Sequence, residues 1–410
     1  MDFRALKLRR VDLAGPDETA WELMPASALS GSARAMVAQA ARRGAAAVWS
    51  AAPAALWREH ARRTGRLPSL ADARVVLSMV RGEAAAVALE RARCDLVEGE
   101  LTGEPDAEPQ RRALVLGPAA DWLAAERQAR AALAADDLDA AIAAAAALDA
   151  WLDGAGAVQP ATLRFEAAAN RVELMLGFGA RLGDRPLLER AAAEAETMTD
   201  ALDPERRPVS AGRAGLLRGQ ALAALGEAIG EPQRLAEACA ALQAAADALD
   251  PEHSPLDRLR IDHALGLGVA AFGEAVGEPG PALQGLRMLE RVLAAAPDLP
   301  LRAALAHDHA ALLARTAGRA GDLGGLDRAE GLFRAELRRG DPRRRPVAWA
   351  LTQGALAAVY EAQAGLRGDR VKRTAAAVAL TAALDVFAER GLKTQADAAL
   401  AALERLRARV

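Results

Sequence analysis

Apolar positions along this chain recur at helical spacing, and the same punctuation interrupts them again and again. From Pro255, PLDRLRIDHALGLGVAAFGEAVGEP predicts one helix with an apolar stripe, and PALQGLRMLERVLAAAPDL predicts a second that follows it closely. A glycine followed by an acid joins the two. That turn recurs as RLGDR, AIGEP, AVGEP, RAGDL and LRGDR, with glycines at Gly183, Gly230, Gly277, Gly321 and Gly368, spaced by 47, 47, 44 and 47 residues. About 22 residues before each glycine stands a proline: Pro160, Pro208, Pro255, Pro300 and Pro346. Proline fits the first turn of a helix, where its missing N–H has no intrahelical partner. Glycine just past a helix supplies a left-handed cap, and an acid suits the positive N-terminal end of the next helix. Each unit therefore reads as proline, long helix, Gly-acid turn, second helix.

The shorter 44-residue step traces to the connection between units. ALDPEHSPLDR separates units two and three, whereas the tighter APDLPLR separates three and four, with a one-residue change in the first helix accounting for the rest. Small residues recur 11 positions before the hinge glycine, at Gly219, Gly266, Ala310 and Ala357, with Val172 in the first unit. At that phase they allow close helix approach while Leu and Val fill the remaining stripe. One pair cannot bury such a stripe alone, so the units are expected to stack as a solenoid.

With these positions in view, the array resembles the long-period tetratricopeptide-type repeats of bacteria, whose units run near 47 residues instead of the commoner 34. Those units open with a pattern close to P-L-D-W-A-x-T-Q-N-N-L-G. Here PLDRLRIDHALG begins at Pro255, and PVAWALTQGALA begins at Pro346 with Trp349, Ala350, Thr352, Gln353 and Leu356 in register. The paired Asn of the pattern is replaced by His263 and Ala264 in one unit and by Gly354 and Ala355 in the other. The resemblance spans roughly residues 118–391. It implies a right-handed superhelix of antiparallel helix pairs that binds another protein.

The ends depart from the register. DWLAAERQARAALAADDLDAAIAAAAALDAWL at 121–152 predicts one more helix pair with Asp136 and Asp137 at its turn. Downstream, Gly391 ends a helix, Thr394 is placed to cap the next, and QADAALAALERLRARV predicts a polar-faced closing helix over 392–410. Residues 1–117 form a separate, mainly helical region, with patterns near 31–64 and 69–100 and a linker at 98–112. Trp21, Trp49 and Trp57 lie there and are expected in its core or at its junction with the array, with a partner surface as the alternative.

Composition agrees with an all-α chain and narrows the partners. Aromatic residues make up 3% of 410 residues, alanine dominates the apolar fraction, and the formal net charge is -3. Such a balance supplies no field for polyanions, so nucleic acid is not expected. The first residues carry charge and proline where a signal peptide needs an apolar run, and AAAVWSAAPAALW at 45–57 is too short to span a bilayer. A cytoplasmic protein without membrane insertion is expected. Cys94 and Cys239 fall in different predicted helices, outside any metal-binding spacing, and read as reduced core thiols.

Candidate chemistry is sparse. His263 and His307 stand 14 residues before their hinge glycines and so share a repeat phase. In AHDHA, His307 and His309 are two apart and point to different helix faces, which excludes an i, i+4 metal pair. First helices line the concave face of repeat scaffolds, which makes Asn170, Asp262, His263, His307, Asp308 and Gln353 groove candidates. RRGDPRRRP places Arg343, Arg344 and Arg345 in one connection, a solvated loop or a contact for an acidic peptide or protein surface. No GxxxxGK[ST], HExxH, GxSxG or dinucleotide-binding unit occurs. The expectation is a non-enzymatic interaction scaffold, without cofactor or metal, that binds a partner's peptide or helix; a regulatory solenoid enclosing a small molecule is the alternative.

Overall fold

The computed structural model describes residues 18–43, 50–81, 84–102, 118–135, 137–154, 161–297, 300–340, 342–343 and 345–408. Pro160, Trp49, Asp136 and Arg344 lie outside the described residues. Among those described there are seventeen α-helices and one short 3-10 helix, and no strand. The chain is an all-α helical-repeat solenoid.

The 3-10 turn Glu18–Leu23 precedes four helices: α1 (Ala26–Arg42), α2 (Ala52–Thr64), α3 (Pro68–Met79) and α4 (Ala84–Thr102). Helix pairs follow: α5 (Pro118–Ala135) with α6 (Leu138–Asp153), α7 (Ala161–Leu182) with α8 (Arg185–Asp200), and α9 (Pro208–Ile229) with α10 (Pro232–Ala248). Next come α11 (Pro255–Val276) with α12 (Pro279–Ala295), α13 (Pro300–Ala320) with α14 (Leu323–Arg339), and α15 (Pro346–Arg367) with α16 (Arg370–Glu389). Helix α17 (Lys393–Ala408) closes the series.

The punctuation acts as its chemistry dictates. All five hinge glycines have positive φ, between 65° and 74°, a conformation that a Cβ would strain. Where the following acid is Asp, its short side chain reaches the free N–H groups of the next helix: Asp184 accepts from Leu187 N, and Asp369 from Val371 N and Lys372 N. Asp322 makes no such bond. Where the acid is Glu, at Glu231 and Glu278, the side chain does not cap, and a proline at the next position removes one orphan donor instead.

The repeated small positions are all buried, and a Cβ on Gly219 would collide with the Leu242 side chain of its own unit. The core is correspondingly a string of local clusters. One joins α4 to α8 around Trp122 and Trp151, whose rings lie 6.2 Å apart, and the largest runs through α11–α17 around Phe333 and Tyr360. The N-terminal helices have a cluster of their own around Leu29, Trp57 and Leu77; it takes in Leu256 of α11, and Trp21 packs against it. Cys94 is buried there as a free thiol that burial pushes up to about 12; Cys239 is free and half-buried, and burial raises it too.

The solenoid curves far enough to meet itself. Thr394, expected as a cap, sits inside α17 and donates its hydroxyl to the Leu182 carbonyl at 3.1 Å, while Gln395 Nε2 donates to the Arg181 carbonyl at 2.8 Å. The last helix thus bonds the C-terminal end of α7, where unpaired carbonyls are available. Among the described residues, no helix is long and apolar enough to cross a membrane.

Candidate functional site

The first helices of successive pairs turn polar stripes toward the inside of the curve. On α7, Glu166, Asn170 and Glu173 follow at i, i+4 and i+7; on α5, Glu126 and Arg130 are four apart; on α11, Asp257, Arg260 and His263 descend by threes. Helical spacing stacks each set on one face. Together with Glu100 of α4, Arg213 and Gln220 of α9, and Leu301 of α13, they line a cavity of about 370 Å³.

A repeat-phase row forms the floor. Glu166, Arg213 and Arg260 each stand 17 residues before a hinge glycine, so they lie level on three neighbouring first helices. Arg213 donates to both Glu166 oxygens, at 2.6 and 3.2 Å. Arg260 pairs with Glu100 at 3.0 Å and Asp257 at 3.4 Å, and Arg130 pairs with Glu126 at 2.9 Å and Glu100 at 3.7 Å. Removing such ions from water costs several kcal/mol each, and only mutual pairing offsets that cost.

The N-terminal helices wall the cavity on one side and are riveted in place by buried charge. Arg62 of α2 donates to Asp257 at 3.2 Å and to Glu59 at 2.7 Å. Arg63, 1% exposed, donates to the carbonyls of Trp21 and Met24 at 3.1 Å and of His253 at 3.4 Å, with Glu59 on its Nε at 2.6 Å. Glu22 accepts from Ser210 N at 2.8 Å, Ser210 Oγ at 2.6 Å and Arg207 Nε at 3.0 Å. Ala26 N donates to the Glu252 carbonyl at 2.8 Å. The connections before α9 and α11 are therefore the seats on which the N-terminal helices rest.

Some polar atoms facing the interior find no partner among the described residues. Asn170, 4% exposed, comes close enough to Glu126 to lower its carboxyl, but neither amide atom reaches good hydrogen-bond geometry; Glu126 Oε2 and Trp122 Nε1, each 3% exposed as residues, are also unmatched. Asn170 lines this cavity, Trp122 lines a smaller pocket beside it, and Glu126 lines both.

Charge is unevenly settled. Burial alone would raise Glu100, but Arg260, Arg130, Arg213 and Arg62 bring it down to about 2. Arg62, Arg213 and Arg260 likewise hold Asp257 low, and Arg62 and Arg63 do so for Glu59. Glu126 and Glu173 go the other way: desolvation raises both, and Arg130 offsets only part of it.

The structure brings together some of the sequence-derived candidates. Asn170 and His263 line the cavity, and Asp308 lies 3.0 Å from His263 Nε2 across the neighbouring first helix. Asp262 turns aside to pair with Arg258 at 2.9 Å. His307 faces Glu336 at 3.1 Å and Phe333 edge-on; burial would lower its pKa, and the Glu336 hydrogen bond raises it instead. Gln353 is half-buried on α15 away from the cavity lining, and Arg343 and Arg345 are exposed in the connection before α15. Sequence reasoning missed Glu166, Glu173, Arg213, Arg260, Glu126 and Arg130; the complementary charges at one repeat phase were the available signal.

No protein-family model matches the chain, and no curated protein matches it. Among solved structures it is similar to a Rap protein complexed with competence and sporulation factor, at 9% identity over 87% of this chain and 98% of that chain, with a TM-score of 0.48. It is also similar to a circular tandem repeat protein with novel repeat topology and enhanced subunit contact surfaces, at 16% identity over 92% and 89% of the two chains, with a TM-score of 0.26.

Proposed function

We propose that this chain is a non-enzymatic interaction scaffold that receives an extended peptide segment of a partner protein in the cavity inside its superhelical turn, with the N-terminal helices as one wall. The observation that carries this reading is the pair of buried polar groups on the cavity wall without well-formed hydrogen bonds, the Asn170 amide and Glu126 Oε2. An extended peptide offers backbone donors and acceptors that complete such groups. A helix does not, because its own backbone groups are already bonded along its axis. Asn170 and His263 are the sequence-derived candidates that belong to this reading.

The test is capture of the partner by the full chain carrying Gln220→Trp, which fills the cavity from α9, beside Val378→Trp on the exposed face of α16. Loss of capture with Gln220→Trp alone is the expected result. Loss with Val378→Trp alone moves the binding surface to the outside of the solenoid. A melting shift with a metabolite but no captured protein replaces the scaffold with a ligand-sensing solenoid.

A further inference from the structure

The outer face of α16 carries a stripe that helix formation does not call for. Val371 and Val378, 77% and 65% exposed, are the two most exposed large apolar side chains among the described residues, and they stand seven apart on one face. Thr374 and Thr381, both exposed, fill the steps of three and four residues along the same stripe, and Asp385 ends it. The two hydroxyls donate to the helix's own backbone, at the Arg370 carbonyl (3.1 Å) and the Ala377 carbonyl (2.9 Å), so their polar ends are already used. Val and Thr form helix less readily than Ala. In a chain this rich in alanine, four exposed β-branched residues on one face are a local cost without a local gain. The charges at the two ends also run against the helix dipole: Arg370 opens α16 at its positive end, and Asp385 and Glu389 lie within its last five residues at the negative end. All three are exposed, and none has an ion-pair partner among the described residues.

We infer that α16 is the contact through which two copies of this chain associate, each stripe packed antiparallel on the other about Val378. A two-fold pairing centred there sets a residue some positions before Val378 against one equally far after it. Arg370 is eight before and Asp385 seven after, so each Arg370 meets Asp385 of the second copy, once at each end of the contact. Each charge then also lies near the end of the opposing helix whose dipole suits it. A second copy supplies this complement by symmetry, and the stripe between the charges is apolar on both sides. The face measures roughly 27 Å by 10 Å, well under the ~1,200 Å² of a standard interface, so the association is weak and reversible. The inference is independent of the peptide reading: α16 contributes no residue to the cavity lining, and Val378 meets a second copy and not the segment held inside the turn.

The experiment is sedimentation velocity of the full chain from about 1 to 200 µM, beside Arg370→Glu, Asp385→Arg and an equimolar mixture of the two variants, with helicity and melting followed by circular dichroism. Both substitutions lie on the surface and place at each helix end the charge that suits it, so neither should lower the melting temperature. The native chain should pass from monomer to dimer with a dissociation constant of roughly 10–100 µM, as a small interface gives. Either variant alone sets like charges against each other at both ends of the contact and should weaken association by about tenfold or more. The mixture restores opposite charges at both ends and should associate as the native chain does. A native chain that stays monomeric at about 200 µM overturns the inference, as does a native dimer that neither variant weakens. Weakening in both variants without recovery in the mixture overturns the antiparallel pairing about Val378.

Discussion

Glu22 caps a helix 188 residues away: its Oε2 accepts from Ser210 N at 2.8 Å, the third residue of α9. The helix has no cap of its own, since the Arg207 side chain at the N-cap position accepts from none of its free N–H groups and Pro208 supplies no N–H. A carboxylate at a helix N-terminus also meets the positive end of the dipole. One side chain thereby fastens the N-terminal helices to the repeat array.

Replacing Glu22 with Ala removes the cap and leaves Ser210 and Arg207 without their acceptor. The expected loss is about 1–3 kcal/mol, measured by urea denaturation. Proteolysis should then cut earlier within 18–43 than elsewhere. An unchanged midpoint and an unchanged cleavage order would remove Glu22 from the account.

Arg62 and Asp257 form the second fastening, and both are nearly buried. Arg62→Met or Asp257→Asn alone strands a buried charge and should cost about 3–5 kcal/mol. The double variant should cost less than the two singles summed. The sign with pH follows from the directions of shift. Asp257, Glu59 and Glu100 are held below their ordinary values, so their contribution is present above about 4.5 and is lost as pH falls, for Glu100 toward about 2. Acid titration of stability, with Asp257→Asn flattening part of the slope, checks this.

Glu173 has the opposite sign. Its folded-state value is raised by desolvation, so the stability it allows is present below the ordinary 4.5 and is lost as pH rises through the raised value. Glu173→Gln should therefore be more stable than the native chain at pH 7, and the two should converge below pH 4.5. Glu173 keeps solvent access on the cavity wall, so the gain is small. A variant that is less stable at pH 7 would mean that Glu173 is a structural partner of the neighbouring arginines.

Gly219 lets α9 and α10 approach each other against Leu242. Gly219→Ala gains roughly 0.5–1 kcal/mol of helix propensity but overpacks a filled core by about 1–3 kcal/mol, for a net loss. Gly331, exposed within α14 with nothing within 4 Å of an added Cβ, should respond to Ala with a gain of about 0.5–1 kcal/mol. Equal responses at both positions would contradict the packing assignment.

The fold was legible because its signals are local. Pro255 and Gly277 announce the start and end of α11 within one stretch of sequence, and the same pairing repeats along the array. Two of the site's wall residues, Asn170 and His263, were reachable from repeat phase. Glu22 and Arg62 were not: each is one ordinary charged residue, and the partner that gives it meaning lies 188 or 195 residues further on. The closing contact escaped for the same reason, since Thr394 looks like a local cap until the solenoid's curvature brings it to Leu182. The row Glu166, Arg213 and Arg260 was readable in principle, because residues of opposite charge share one phase on consecutive first helices.

The most direct test of the central claim is photo-cross-linking from inside the turn. A benzophenone amino acid is placed at Gln220 on the cavity wall and, in a separate chain, at the exposed Val378 on α16. The partner is then added, and cross-linked fragments are mapped by mass spectrometry. The expected result is a cross-link from Gln220 to one short linear segment of the partner, with none from Val378. Cross-linking from Val378 with none from Gln220 would contradict it.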